Sequence, residues 1–258
     1  MIQSVNPTIK AIAVLVPGIL LSFAFDMITP LIFLIYILML TLFFTNITLK
    51  KWLLFFVPLS LFAIGLAWMT MLYTDESYNT GPVVFQFLWF EITSGSFQVG
   101  ISLALRSLCF ISLSLLFALT TDPTKFMLSL MQQAKLSPKL TYGILAGYRF
   151  LPTFKTELNL IRQAHQIRGV QRTKGLRQKW QNNKQYIIPL LASSIRKAER
   201  VAIAMESKGF TGERNRTFYH KLTVSKKDWI FLISMFVALC FAFFISDQLG
   251  FLRLIGQG

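Results

Sequence analysis

Charge is scarce in this 258-residue chain: Asp, Glu, Lys and Arg make up 14% of it, where an ordinary soluble domain carries about 25%. Acids are the scarcest, 11 against 26 Lys and Arg, for a formal net charge of +15. Two cysteines, Cys109 and Cys240, both in apolar runs, are too few for a disulfide scaffold. They read as inert thiols packed among helices. The two histidines, His165 and His220, lie far apart and read as surface residues. The chain has no His-Glu-x-x-His sequence, no Gly-x-x-x-x-Gly-Lys-Ser/Thr loop and no Cys/His cluster at metal-ligand spacing. Nor does it pair carboxylates within an apolar run. An enzyme would have little to work with, so no catalytic residue, metal or cofactor of its own is expected. What abounds is apolar surface: 54% hydrophobic residues, 25 Phe and a mean hydropathy of +0.55. That composition excludes a disordered chain and points to a membrane protein.

The charges are concentrated. Residues 120–227 hold 21 Lys and Arg against 5 acids (Asp122, Glu157, Glu199, Glu206, Glu213), while the rest of the chain holds 5 basic and 6 acidic side chains. A nearly neutral apolar body therefore carries one large basic block, suited to nucleic acid, anionic lipid or an acidic protein surface.

A helix needs roughly 20 apolar residues to cross the hydrocarbon. Residues 11–25, 31–44, 52–73, 101–119 and 229–245 approach this, so five transmembrane helices are expected, the first two as a tight hairpin. Residues 83–90 are too short to cross and read as an interfacial or re-entrant piece, with Trp89 and Phe90 at a headgroup boundary. Residues 1–25 do not read as a cleaved signal peptide: Lys10 is the one basic residue ahead of the first run, and no small-residue cleavage site follows. Lys10, Lys50, Lys51 and the basic block place those segments in the cytoplasm by the positive-inside rule, leaving the Asp26 turn and the Asp75-Glu76 loop outside. The N-terminus is then cytoplasmic and the C-terminus extracellular. Arg106 within a span demands a reason: it either snorkels to the outer headgroups or pairs with Glu91 or a partner helix.

The expected organisation is transmembrane helices 1–4 over residues 1–119, a basic cytoplasmic domain over 120–227, and the last transmembrane helix with a tail over 228–258. The basic block is not a disordered tail. Asp122-Pro123 and Ser137-Pro138 each set a capping side chain before a Pro at the first helical position, as does Asn6-Pro7 ahead of the first span. Ser225-Lys226-Lys227-Asp228 resembles a capping box opening the last span. Two amphipathic helices are legible. Ile144, Tyr148, Leu151, Phe154, Leu158 and Ile161 recur at helical steps, with Pro152 a kink point; Leu191, Ile195, Ala198, Ala202 and Met205 recur likewise. Residues 171–185 between them, very basic and poor in apolar side chains, read as a loop with at most a short surface helix. Such stripes ordinarily pack on a neighbour or on a membrane face.

How the two helices end goes further. One ends Ala164-His165-Gln166-Ile167-Arg168-Gly169-Val170 and the other Ala204-Met205-Glu206-Ser207-Lys208-Gly209-Phe210, 40 positions on. Singly, each is a C-cap: Gly closes the helix in a left-handed conformation, and a cation meets the negative end of the dipole. Together they also read as two matched docking tips, each offering a small residue, a cation and a turn, suited to a partner with two like grooves.

These residues resemble the transmembrane (T) component of energy-coupling factor (ECF) transporters, the group that includes EcfT, BioN and CbiQ. The resemblance covers most of the chain and is strongest over residues 120–217. Thr120-Thr121-Asp122-Pro123-Thr124 is similar to the family's lead-in to its cytoplasmic helices, and Tyr148-Arg149-Phe150-Leu151-Pro152 followed by Glu157 to its Arg-Phe-x-Pro…Glu signature. Residues 204–210 resemble its Ala-Met-Glu-x-Arg-Gly-Phe hallmark, and Asn6-Pro7-Thr8-Ile9-Lys10 its Asp-Pro-Arg-x-Lys opening. The resemblance implies an all-α membrane protein with about five transmembrane helices and a cytoplasmic coupling domain built on two long amphipathic helices. It implies a scaffold in a bacterial plasma membrane, not a catalyst. Two ABC ATPase subunits would each receive one tip, through Ala164, Ile167, Arg168 and Gly169 at the first and Ala204, Glu206, Ser207, Lys208 and Gly209 at the second. A small membrane S component would bind the vitamin or transition metal and lie against a stripe of Ile144, Tyr148, Leu151, Leu191, Ile195 and Ala198. ATP would be bound by the ATPases. Ile167 and Ser207 stand where Ala is usual in the family, and Lys208 where Arg is usual; Lys keeps the charge and loses the planar fork.

The competing reading is a polytopic membrane protein whose basic block binds anionic lipid or nucleic acid. Against nucleic acid, aromatics among the charges are few, Trp180 and Tyr186 being the obvious ones, and no RNA-binding signature occurs.

Overall fold

The structure, a computed structural model, describes residues 2–45, 47–73, 82–87, 90–168, 176–215 and 217–250. After a 3-10 turn at Ile2–Ser4 come α1 (Pro7–Leu21), α2 (Ile28–Phe44), α3 (Leu49–Leu72), β1 (Val83–Phe87), β2 (Phe90–Thr93), α4 (Ser94–Thr120), α5 (Pro123–Gln133), α6 (Pro138–Ile167), α7 (Leu176–Ser207) and α8 (Lys226–Gln248). The chain divides into two compact units, residues 1–129 with 222–258, and residues 130–221.

The first unit is a bundle of α1, α2, α3, α4 and α8. By length and composition α3, α4 and α8 suffice to cross a membrane, and α1 and α2 are shorter apolar helices of 15 and 17 residues. Its core is Leu21, Phe33, Ile37, Leu116, Met235 and Leu239, contributed by α1, α2, α4 and α8. Small and hydroxyl residues on α4 (Gly100, Ser102, Ser112) are buried where neighbours approach, the habit of helices packing in lipid. At Gly100 an added Cβ would meet the Met71 side chain and lie 3.1 Å from the Ala67 carbonyl oxygen, so the missing side chain lets α3 come close to α4. The rest of α3 is open: of its 24 residues Trp52, Ala63 and Ala67 are buried. Helices greasy all round belong in lipid.

Two polar knots hold the bundle. At its first end the Asn6 side chain caps α1 by accepting the Thr8 N–H (3.1 Å). The Asp228 carboxylate at the start of α8 accepts the N–H groups of Asn6 (2.8 Å) and Ser225 (2.7 Å). Lys10, 1% exposed, donates to the Thr120 carbonyl at 3.1 Å, supplying a cation to the negative end of α4. The capping reading of Asn6-Pro7 and the Ser225-to-Asp228 box both hold. Lys10 is therefore not a loop charge but a buried cation inside the bundle.

At the other end residues 22–27 turn the chain from α1 into α2. Asp26 accepts the Thr29 N–H (2.7 Å) and the Ser246 hydroxyl of α8 (2.6 Å), while Ser102 of α4 donates to the Asp26 carbonyl (2.9 Å). Arg106 meets the turn between α1 and α2. Its guanidinium donates to the Ala24 carbonyl and lies 4.6 Å from the Phe25 ring centre, so the turn meets the cation with both a carbonyl and a π-face. The Glu91 side chain lies outside the described residues. The turn is short as expected, yet α1 and α2 pack mainly on α4 and α8 rather than on each other.

Residues 83–90 give a further difference. Val83–Phe87 pairs antiparallel with Phe90–Thr93, Gln86 opposite Glu91. Val and Phe favour a strand, and a partner seven residues on satisfies the backbone without a bilayer crossing. Cys109 is buried, donating to the Pro30 carbonyl, whereas Cys240 is exposed on α8, on a helix with an open apolar side, rather than packed among helices.

The second unit is built on α6 and α7. Pro138 opens α6 at its first position; the Ser137 hydroxyl makes no capping bond, although the Ser137 carbonyl takes both the N–H (3.0 Å) and the hydroxyl (3.1 Å) of Thr141. The helix continues through Pro152. Before it, Asp122 caps α5, accepting from Thr124 N (2.7 Å) and Lys125 N (3.1 Å). The loop expected over 171–185 is corrected from residue 176 onward: α7 is already helical at Leu176 and continues through Pro189. Gln, Lys, Arg and Leu are good helix formers, so a stretch without an apolar stripe is still able to be helical. Residues 171–175 lie outside the described residues.

Candidate functional site

The two helix ends sit at opposite extremes of one helical pair. Glu157 of α6 accepts from Ser193 and forms an ion pair with Lys197, both on α7. Farther along α6, His165 packs edge-on to Tyr186 (centroids 5.3 Å), and the Arg162 guanidinium lies 5.9 Å from the same ring. Contacts that advance on α6 while retreating on α7 define an antiparallel pair. About 25 residues of α7 thus separate the level of Arg168 from Lys208, roughly 35–40 Å at 1.5 Å per residue.

The Glu157 contacts have an electrostatic consequence. The hydrogen bond from Lys197, then that from Ser193, hold its carboxyl below the ordinary Glu value. In the sequence Glu157 stands only as part of a motif. The partners are 36 and 40 positions away, and nothing in the local sequence announces them.

The second tip is closed by a Schellman turn. Gly209 has φ +82°, its N–H donates to the Glu206 carbonyl (2.9 Å), and the Phe210 N–H reaches back to the Met205 carbonyl (3.0 Å). The left-handed position favours glycine. The Phe210 ring then packs edge-on to Tyr142 of α6 at 5.5 Å, fixing the direction of the chain as it leaves the tip. Ala204, Glu206, Ser207, Lys208 and Gly209 are all exposed around that turn.

The first tip leaves α6 at Arg168, whose N–H donates to the Ala164 carbonyl at 3.3 Å. Ala164 and Arg168 are exposed, and Ile167 is 88% exposed. Among the described residues nothing covers this large aliphatic side chain, which sits next to a cation at a helix end. Gly169 lies outside the described residues.

The proposed apolar stripe divides. Phe154, Leu158 and Ile161 are half-buried, but Ile144, Tyr148 and Leu151 on α6, with Leu191, Ile195 and Ala198 on α7, are exposed, Ile195 to 66%. The six residues that the family resemblance assigns to a partner-facing stripe are thus left uncovered, while the rest of the α6 periodic set is half-buried. Among the described residues no group of three or more His, Cys, Asp or Glu side chains gathers as a metal would require. The second unit therefore offers contact surfaces: two cationic ends and an open apolar face.

Residues 1–219 match the family model of the CbiQ cobalt transport proteins. The energy-coupling factor transporter transmembrane protein EcfT of Streptococcus equi subsp. equi is 31% identical over 256 residues, covering 95% of this chain and 93% of that protein. The protein of the same name from Bacillus subtilis is 31% identical over 175 residues, covering 65% of this chain and 66% of its own length. That of Exiguobacterium sibiricum is 33% identical over 155 residues, 57% of each chain.

Proposed function

The chain belongs to the transmembrane T-component family of energy-coupling factor transporters, and from that membership we propose that it is the lever of an importer, gripped at its two tips by two ABC ATPase subunits. Arg168 at one end of the α6–α7 pair and Lys208 at the other each present a cation to a carboxylate in an ATPase groove. Ile167 fills the apolar part of the first groove; Gly209 sets the turn that exposes Lys208 at the second. ATP is bound and hydrolysed by those partners, not by this chain.

The observation that carries this reading is the antiparallel pairing of α6 and α7. Two like tips at opposite ends of one rod cannot enter one site, but they suit two equivalent subunits standing side by side. The exposed face of Ile144, Tyr148, Leu151, Leu191, Ile195 and Ala198 is covered by a small membrane S component, which carries the substrate, a vitamin or a transition metal. Closure and opening of the ATPase pair moves the two helices and, through that face, the S component. The tips are cytoplasmic, as is the N-terminus, and the C-terminus is extracellular. Lys208 makes an ammonium-to-carboxylate contact in place of the two-pronged contact an Arg would make.

Reconstitution of the assembled importer with Arg168→Glu and Lys208→Glu in this chain provides the experiment. The double variant inserts in the membrane, and ATP hydrolysis no longer drives uptake. Full uptake by that variant would end the docking reading. A gradual fall tracking total block charge, seen equally with other Lys and Arg substitutions, would favour an anionic lipid surface as the block's partner.

A further inference from the structure

Between α2 and α8 the first unit has a concave, almost wholly apolar groove of ≈ 540 Å³, within the size range of ligand sites. Its floor reaches the core: Val5, Leu40 and Phe231 line it and are each under 9% exposed. Phe43 at its rim is 78% exposed. The walls come from three segments, so the groove is a notch and not the ordinary furrow beside one helix. Within a bilayer such a notch holds no water to advantage, and left empty it forfeits the dispersion contacts of its lining. A flexible hydrocarbon chain fills it.

One charged side chain lines the groove, Lys227, in the first turn of α8. The carboxylate beside it in sequence, Asp228, is turned inward to the N–H groups of Asn6 and Ser225. Among the described residues Lys227 has no ion-pair partner. A cation without a counter-ion at the mouth of an apolar slot, at the helix end where a headgroup lies, is the pattern that recognises an anionic amphiphile.

We propose that the groove between α2 and α8 is a site for one anionic glycerophospholipid, its acyl chain over Leu40 and Phe231 and its phosphate on Lys227. The site lies wholly within the membrane unit and does not depend on how the ATPases dock.

Native mass spectrometry of the full chain in detergent, titrated with phosphatidylglycerol or with phosphatidylcholine of the same acyl chains, measures it. The unmodified chain retains phosphatidylglycerol about fivefold better, which is about 1 kcal/mol and what one cation near the headgroups supplies. Lys227→Gln erases that preference, and Lys226→Gln, one residue away and not in the groove lining, leaves it. Ser234→Phe, which fills the groove from α8, lowers retention of both lipids at least fivefold. Equal retention of the two lipids by the unmodified chain would overturn the proposal. So would equal losses from Lys226→Gln and Lys227→Gln, which would mean general surface charge, or undiminished binding in Ser234→Phe, which would place the chain elsewhere.

Discussion

Gly209 shows how far one residue can be read. Its place after Lys208, ahead of Phe210, implies a left-handed closure, and the structure has φ +82° there with both back-bonds of the Schellman turn. A β-branched residue in that conformation costs about 1–2 kcal/mol or more. Gly209→Val is therefore expected to open the turn, swing Lys208 and release Phe210 from Tyr142. Co-purification of the ATPases should fall severalfold while membrane insertion is unchanged, and Gly209→Asn, tolerated in left-handed turns, should retain most of it. Arg106 and Lys10 mark the opposite limit. A sequence shows that a charge lies in an apolar run, but not which carbonyl it will meet. Their acceptors, Ala24 and Thr120, are backbone oxygens 82 and 110 positions away, and any residue supplies one.

At the scale of elements, the legible features were those with local chemistry. Asn6, Asp122 and the Ser225-to-Asp228 box each mark a helix start at the residue where it occurs, because capping is settled within four residues. The start of α7 is not legible because residues 176–184 carry no apolar stripe in the sequence. The β1–β2 hairpin was missed because a run too short to cross a membrane says nothing of its partner. What ties α6 to α7 was equally invisible, and its role has a pH signature. Glu157 is held below its ordinary value by Lys197 and Ser193. The clasp is thus fully present above the ordinary Glu value, near about 4.3, and is lost as pH falls through the lowered folded value. Thermal unfolding of the full chain in detergent should show an acid-side loss of stability, and Glu157→Gln should flatten it. The charge is partly screened, so the effect at neutral pH is at most about 1 kcal/mol. An unchanged acid limb in Glu157→Gln would show that the pair is held together by other contacts.

At the scale of the whole molecule, composition divides labour between an apolar bundle and a basic pair of helices, and each has surface that this chain does not cover. The bundle's open sides, α3 above all, suit lipid. The second unit's open residues are at Ile167, at Lys208 and along the face of Ile144, Tyr148 and Leu151. A lever held at both ends fails differently from a patch of charge. Arg168→Glu alone and Lys208→Glu alone should each leave the other end gripped, so the ATPase pair still co-purifies, at a yield several times that of the double variant. Uptake by either single variant should nevertheless fall nearly as far as in the double, since motion at one end without the other moves no load. Retention would thus be close to additive and transport strongly non-additive. Lys208→Arg, which restores the planar fork, should hold the ATPases at least as well as the unmodified chain. Parallel measurement of co-purified ATPase per chain and of uptake in membrane vesicles distinguishes the outcomes. If one single variant proved silent in both, only one tip would dock and the two-handed lever would be wrong.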